Sequence, residues 1–226
     1  RPTPLTCERP RMPQPTPHSA RRGMLWRIII PALLGAAGLF ISAQAPAGSV
    51  QFYLATFFTA AIWLSSWLLW GDRRCFSGHA PRELTRGAAI GIALIALFIL
   101  GALIVRHIPM LAGPVSDLLD NMRHGSVPIT LATLVINGVG EELFFRDVAR
   151  RQLADALSPT PAILAQLALY IAVTAAMGIP LLLVASVLIG GIAALEARRA
   201  DSLISATTLH LVWSTGMAFL LPVVIG

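Results

Sequence analysis

Long apolar runs separated by short polar links dominate this chain. Residues 25–42, 50–70, 88–105, 128–157, 162–177, 179–195 and 202–224 are each largely hydrophobic. A helix needs ~20 mostly apolar residues to cross the hydrocarbon core of a bilayer. Runs of this length predict an all-α, polytopic transmembrane bundle of about seven spans. The links hold the helix breakers, among them Ser158-Pro159-Thr160-Pro161 and Gly178-Ile179-Pro180. The link from Arg106 to Val127 is longer and includes a mildly amphipathic piece, Val115 to Met122. Trp63, Trp67 and Trp70 close the second run, where interfacial aromatics are expected. Ala43-Gln44-Ala45 after the first run resembles a signal-peptide end, but Pro46 directly after it favours an uncleaved helix. Residues 1–23 are rich in Pro and Arg and read as a disordered basic tail, with Met24 as an alternative start. The predicted organisation is therefore this tail, three spans within 24–127, and a four-span core within 128–226.

Composition sharpens the picture. Hydrophobic residues make up 56% of the chain and charged residues 12%, too few to cover a water-soluble surface. The net charge is +6, and all 17 basic residues are Arg. In a membrane protein such an excess orients the spans and does not imply nucleic-acid binding. With the N-terminus in the cytosol, the inner links hold Arg73, Arg74, Arg82, Arg86, Arg146, Arg150, Arg151, Arg198 and Arg199. The outer links hold only Arg106 and Arg123. That asymmetry predicts an integral membrane protein with a cytosolic N-terminus, and a bacterial plasma membrane is the expected location. Cys7 and Cys75 then face the cytosol, where disulfides are uncommon, and no CxxC spacing exists.

The fourth run carries charge into the membrane, as Glu141-Glu142-Leu143-Phe144-Phe145-Arg146. Counted from Ile129, a ~20-residue span ends near Val148, which puts Glu141 ~10 Å from the cytosolic end. An intramembrane carboxylate is a functional-site hypothesis by default. Arg146 lies four residues after Glu142, the favourable order for an ion pair, and Asn137 lies four before Glu141. Glu142 is thus expected to pair with Arg146, leaving Glu141 free beside Asn137. The plainer alternative makes both carboxylates interfacial charges balanced by Arg146, Arg150 and Arg151. His210 is the only histidine well inside an apolar run, ~12 Å from the same end. Matched depth suggests a cavity shared by Glu141 and His210 and open to the cytosol. Thr207 and Ser214 are candidates to orient the imidazole; the alternative is a buried neutral His without chemistry.

Glu141-Glu142 with Arg146 resembles the E-E-x-x-x-R motif of the CPBP family, the CAAX prenyl protease and bacteriocin-processing type (Abi) intramembrane endopeptidases. His210 with Ser214 resembles the family's last motif, H-x-x-x-N/D, with Ser in the final place. The resemblance covers residues 128–217. It implies an all-helical membrane fold in which Glu141 activates water near the cytosolic face. Glu142 and Arg146 would then be the supporting pair and His210 a polariser or oxyanion stabiliser. The middle motif, an aromatic followed four residues later by His, corresponds to Tyr170 and Thr174, so its His is missing. The resemblance leaves zinc possible, but catalytic zinc usually takes three protein ligands and Glu141 with His210 supplies two, so no metal is expected. The implied substrate is a membrane protein or hydrophobic peptide met within the lipid bilayer. From another class comes a catalytically inactive relative that binds a membrane partner in the same cavity. A solute transporter has less support, because no paired interrupted helices are evident.

Overall fold

The computed structural model describes residues 17–225, and these residues contain helices and no strand. In order they are α1 (Pro17–Gln44), α2 (Val50–Trp70), α3 (Ala80–Val105), α4 (Pro109–His124) and α5 (Val127–Glu141). A π-helical segment (Glu142–Ala149) and the short α6 (Arg150–Ala154) continue the line of α5. Then come α7 (Pro159–Thr174), a 3₁₀ turn (Ala175–Met177), α8 (Pro180–Ala200) and α9 (Ile204–Ile225). Among the described residues seven helices are long and apolar enough to cross a membrane, with Val127–Ala154 counted as one. The protein is an integral membrane protein whose outer faces contact lipid. Residues 1–16 of the expected tail, with Cys7, lie outside the described residues. The rest of that stretch belongs to α1, which begins at Pro17, a residue preorganised for the first helical turn.

The boundaries follow local chemistry. Ser49 caps α2, its hydroxyl accepting from the Phe52 amide at 3.1 Å. Pro81, Pro128 and Pro180 stand in the first turns of α3, α5 and α8, where a missing N–H costs nothing. Gly178 adopts a left-handed φ of 71° between α7 and α8, and Asp201 takes φ 47° after α8. The third span starts earlier than its apolar run, at Ala80, and carries Arg82, Glu83 and Arg86 on its first turns.

Close packing replaces the hydrophobic drive between helices in a membrane, so small residues mark the contacts. Along α3, Gly87 and Gly91 lie against α9. A Cβ on Gly91 would come within 2.9 Å of both the Leu209 carbonyl oxygen and Val212. Trp63 of α2 is fully buried and stacks on Phe144 with ring centroids 4.6 Å apart. It is therefore a core residue and not the interfacial anchor expected from its place in the sequence. Phe145 and Tyr170 complete this aromatic cluster, 4.9 Å apart edge to face.

The two ends of the bundle differ. At one end, Arg86 of α3 grips Glu196 of α8 with two bonds of 2.8 and 2.9 Å. Arg199 donates to the same carboxylate at 3.1 Å and also pairs with Glu83. Ser205 of α9 adds a bond to Glu196 at 2.9 Å. Nearby, Asp147 accepts from the Asp72 amide at 2.7 Å and pairs with Arg151 at 3.4 Å. Polar side chains thus tie α3, α8 and α9 together at the Arg-rich end, and Asp147 fastens the link after α2 beside them. At the other end the amphipathic α4 touches α3, α5, α8 and α9.

Candidate functional site

The expected charged cluster sits where the regular helix gives way. The Glu142 amide still bonds four residues back, to the Gly138 carbonyl, whereas the Arg150 amide reaches five residues back, to Phe145. All eight residues of the widened segment are buried, so helices surround it on every side. Such π-type turns within α-helices are often found at functional sites.

Glu142 and Arg146 are fully buried, with Arg146 Nε 3.3 Å from Glu142 Oε2. The second Glu142 oxygen, Oε1, lies 2.7 Å from His210 Nδ1. Glu142 therefore bridges Arg146 and His210. The guanidinium of Arg146 lies over the Tyr170 ring, 4.2 Å from its centroid. A desolvated cation–π contact is worth about 2 kcal/mol or more. The terminal nitrogens of Arg146 meet no hydrogen-bond acceptor, so the ring face and Glu142 are its compensation.

Glu141 is not free. Its Oε2 accepts from the Tyr170 hydroxyl at 2.9 Å, and His210 Nε2 lies 3.9 Å from the same oxygen. That separation is beyond a direct hydrogen bond. Asn137 takes another role than the expected one: its amide donates to the Thr56 and Thr133 carbonyls at 3.0 and 2.9 Å. Its Oδ1 is buried without a partner, and the residue lines the same cavity as Glu141. Ser214 donates to the backbone carbonyl of His210 at 2.7 Å, and Thr207 makes no hydrogen bond through its hydroxyl. The imidazole is thus oriented by Glu142. Thr174 donates to the Tyr170 carbonyl at 2.9 Å and is not among the residues lining the cavity.

The cavity has a volume of about 590 Å³. Its walls come from the end of α1, the start of α2, the last turns of α3, the length of α5, the start of α8 and most of α9. On α5 the lining residues precede Glu141, and on α9 they follow His210. The space therefore runs from Glu141 and His210 toward the Arg-poor end. The expected cavity opens toward the Arg-rich end, taken there as cytosolic; the lining instead extends toward the Arg-poor end. Depth counted along one helix could not tell which way the neighbouring helices splay, and the ion pairs of Glu196 tie them at the Arg-rich end.

Among the described residues no three His, Cys, Asp or Glu side chains are grouped to hold a metal ion. Glu142 is committed to His210 and Arg146, and His210 Nδ1 to Glu142. Glu141 Oε2 and His210 Nε2 are left facing each other, one donor short of a catalytic zinc site. The residues do not fit the metal.

The hydroxyl of Tyr170 is the contributor that sequence reasoning missed. Tyr170 stood out only as the aromatic of a motif. The available signal was a phenol within an apolar helix, which needs a buried partner. Residues 123–216, under half of the chain, match the family described as Type II CAAX prenyl endopeptidase Rce1-like. This segment contains Glu141, Glu142, Arg146, Tyr170 and His210. Comparison with curated proteins finds no match. Comparison with solved structures finds none.

Proposed function

We propose that this Rce1-like membrane protein is an intramembrane endopeptidase in which Glu141 activates water. The observation that carries the reading is the facing pair of Glu141 Oε2 and His210 Nε2, 3.9 Å apart at the bottom of a cavity. The gap between this nitrogen and this oxygen is the right size for one bridging water, where a nucleophile is needed. Glu141 takes its proton as the oxygen attacks the scissile carbonyl carbon, then delivers that proton to the amine as the C–N bond breaks. The products are a carboxylic acid, which keeps the water's second proton until it passes to the departing amine, and that amine. Glu142 accepts from His210 Nδ1, which turns Nε2 toward the cavity. Protonated there, the ring donates to the oxyanion of the tetrahedral intermediate. With the ring as imidazolium, the charges of Glu141, Glu142, Arg146 and His210 sum to zero, which suits a site removed from water. No step passes through a metal.

The test is a comparison of cells carrying wild type or Glu141→Gln, reading new protein N-termini in the membrane proteome by mass spectrometry. Wild type generates termini that the variant lacks, while the variant accumulates to the same level. Metal analysis of the purified protein shows well under one zinc per chain. Identical termini in the two strains would sink the protease reading. The missing middle-motif His, with Thr174 bonded back to its own helix, makes the second reading an inactive relative that holds a membrane partner in the cavity.

A further inference from the structure

We infer that the cavity holds the acyl chain of a bilayer lipid, admitted sideways through its wall. This goes beyond the protease reading and stands whether or not Glu141 hydrolyses anything. Packing covers both ends of the cavity. Past Glu141 lie the buried Phe144, Phe145, Arg146 and Val148. At the Arg-poor end α4 touches α3, α5, α8 and α9. The sides are different. Two lining residues, Leu97 on α3 and Val184 on α8, are 51% and 53% exposed on the flanks of membrane-spanning helices. In a bilayer such flanks meet lipid tails. The cavity is thus continuous with the hydrocarbon region, whichever way the protein faces.

Hydrogen bonding in the wall selects hydrocarbon over peptide. Ser42, Thr133 and Ser214 each donate to a carbonyl of their own helix, at 2.8, 2.8 and 2.7 Å. Thr56 does the same toward Phe52 and Tyr53, and Thr130 is bonded to the Tyr53 hydroxyl. The Asn137 amide group is given to two carbonyls, while its Oδ1 and the Trp213 indole nitrogen are buried within the wall. A hydroxyl has one proton to donate. With these protons spent, the His210 ring is the one side-chain donor that the described lining presents to an occupant. An extended peptide carries a carbonyl at every residue, and each one left unpaired away from water is costly. One carbonyl is served at His210; those farther along the cavity find no donor. A hydrocarbon chain has no polar group to satisfy. Water suits the space no better, because a buried molecule needs about two to four polar partners. The volume of about 590 Å³ lies within the usual size of a ligand pocket.

Photolabelling of the full chain in vesicles tests this. The protein is reconstituted in phosphatidylethanolamine and phosphatidylglycerol, doped with a phosphatidylethanolamine that carries a diazirine in its acyl chain. After irradiation the adducts are located by mass spectrometry. Leu33 and Ile92 are exposed on the outside of the bundle and report the lipid around it. Thr133 and Met217 line the cavity at 3% and 7% exposure, out of reach of that surrounding lipid. Adducts form at all four positions. Adducts on Leu33 and Ile92 without any on Thr133 and Met217 overturn the lipid occupant. In a second arm, vesicles of the plain lipids receive an uncharged Leu/Ala peptide with one diazirine leucine, at the same molar ratio as the photolabelled lipid. That peptide leaves Thr133 and Met217 unlabelled. Labelling of either residue by the peptide as heavily as by the lipid overturns the choice of hydrocarbon. Glu141→Gln, which removes the proposed base, gives the same lipid adducts as wild type. Loss of cleavage and loss of the lipid site are therefore separate results.

Discussion

Tyr170 lies between the two charged parts of the site, its hydroxyl on Glu141 and its ring face under Arg146. Those contacts separate cleanly by substitution. Tyr170→Phe keeps the ring over the guanidinium and removes only the donor to Glu141. A hydrogen bond to a charged group is worth about 1.5–3 kcal/mol, so the expected loss is ~10- to 150-fold in kcat with KM unchanged. Stability stays close to wild type, and a comparable fall in unfolding temperature would show that the hydroxyl is structural. Glu142→Gln acts differently, because it removes the charge of the carboxylate paired with the fully buried Arg146. Breaking a buried pair costs about 3–5 kcal/mol, so that variant loses folded protein along with any activity. Thr174→His returns an imidazole to the helix carrying Tyr170. It raises cleavage if the site is merely weakened and leaves it unchanged if the chain only binds.

Single residues were easier to read from the sequence than the contacts between them. Glu141, Glu142, Arg146 and His210 stood out because ionisable groups within a membrane are rare. Their pairing depends on how one helix is turned toward the next. The widening over Glu142–Ala149 alters that rotation in the middle of a run that looked uniformly α-helical. Nothing in the apolar pattern marks the change, so the link from Glu142 to His210 and the bond from Tyr170 to Glu141 were not foreseen. Helix contacts made by glycine are nearer to legible. Gly87 and Gly91 recur at four-residue spacing on α3, and both face α9. A Cβ on Gly87 would lie 2.5 Å from the Ser205 carbonyl oxygen, which belongs to backbone and cannot swing aside. Gly87→Ala is expected to cost about 1–3 kcal/mol, measured as a lower unfolding temperature in detergent. Gly101 on the same helix has nothing within 4 Å of its would-be Cβ, so Gly101→Ala leaves stability equal or better. Similar losses from the two changes would mean that α3 does not sit on α9 through its glycines.

At the scale of the whole bundle, the number of spans follows from hydropathy, since helix length and bilayer thickness are fixed by the same physics. The difference between the two ends does not. It arises because Glu83 and Glu196, separated in sequence, meet Arg86 and Arg199 only when α3, α8 and α9 converge. Glu196 carries most of that convergence, accepting from two arginines and Ser205. Glu196→Gln removes the charge but keeps the shape, leaving Arg86 and Arg199 with Glu83 as their remaining acid partner. Arg86 is partly exposed, so solvent and salt recover part of the loss. The partly exposed arginines hold the expected cost to the low range of solvent-screened pairs. It appears as a lower unfolding temperature, and added salt narrows the gap to wild type.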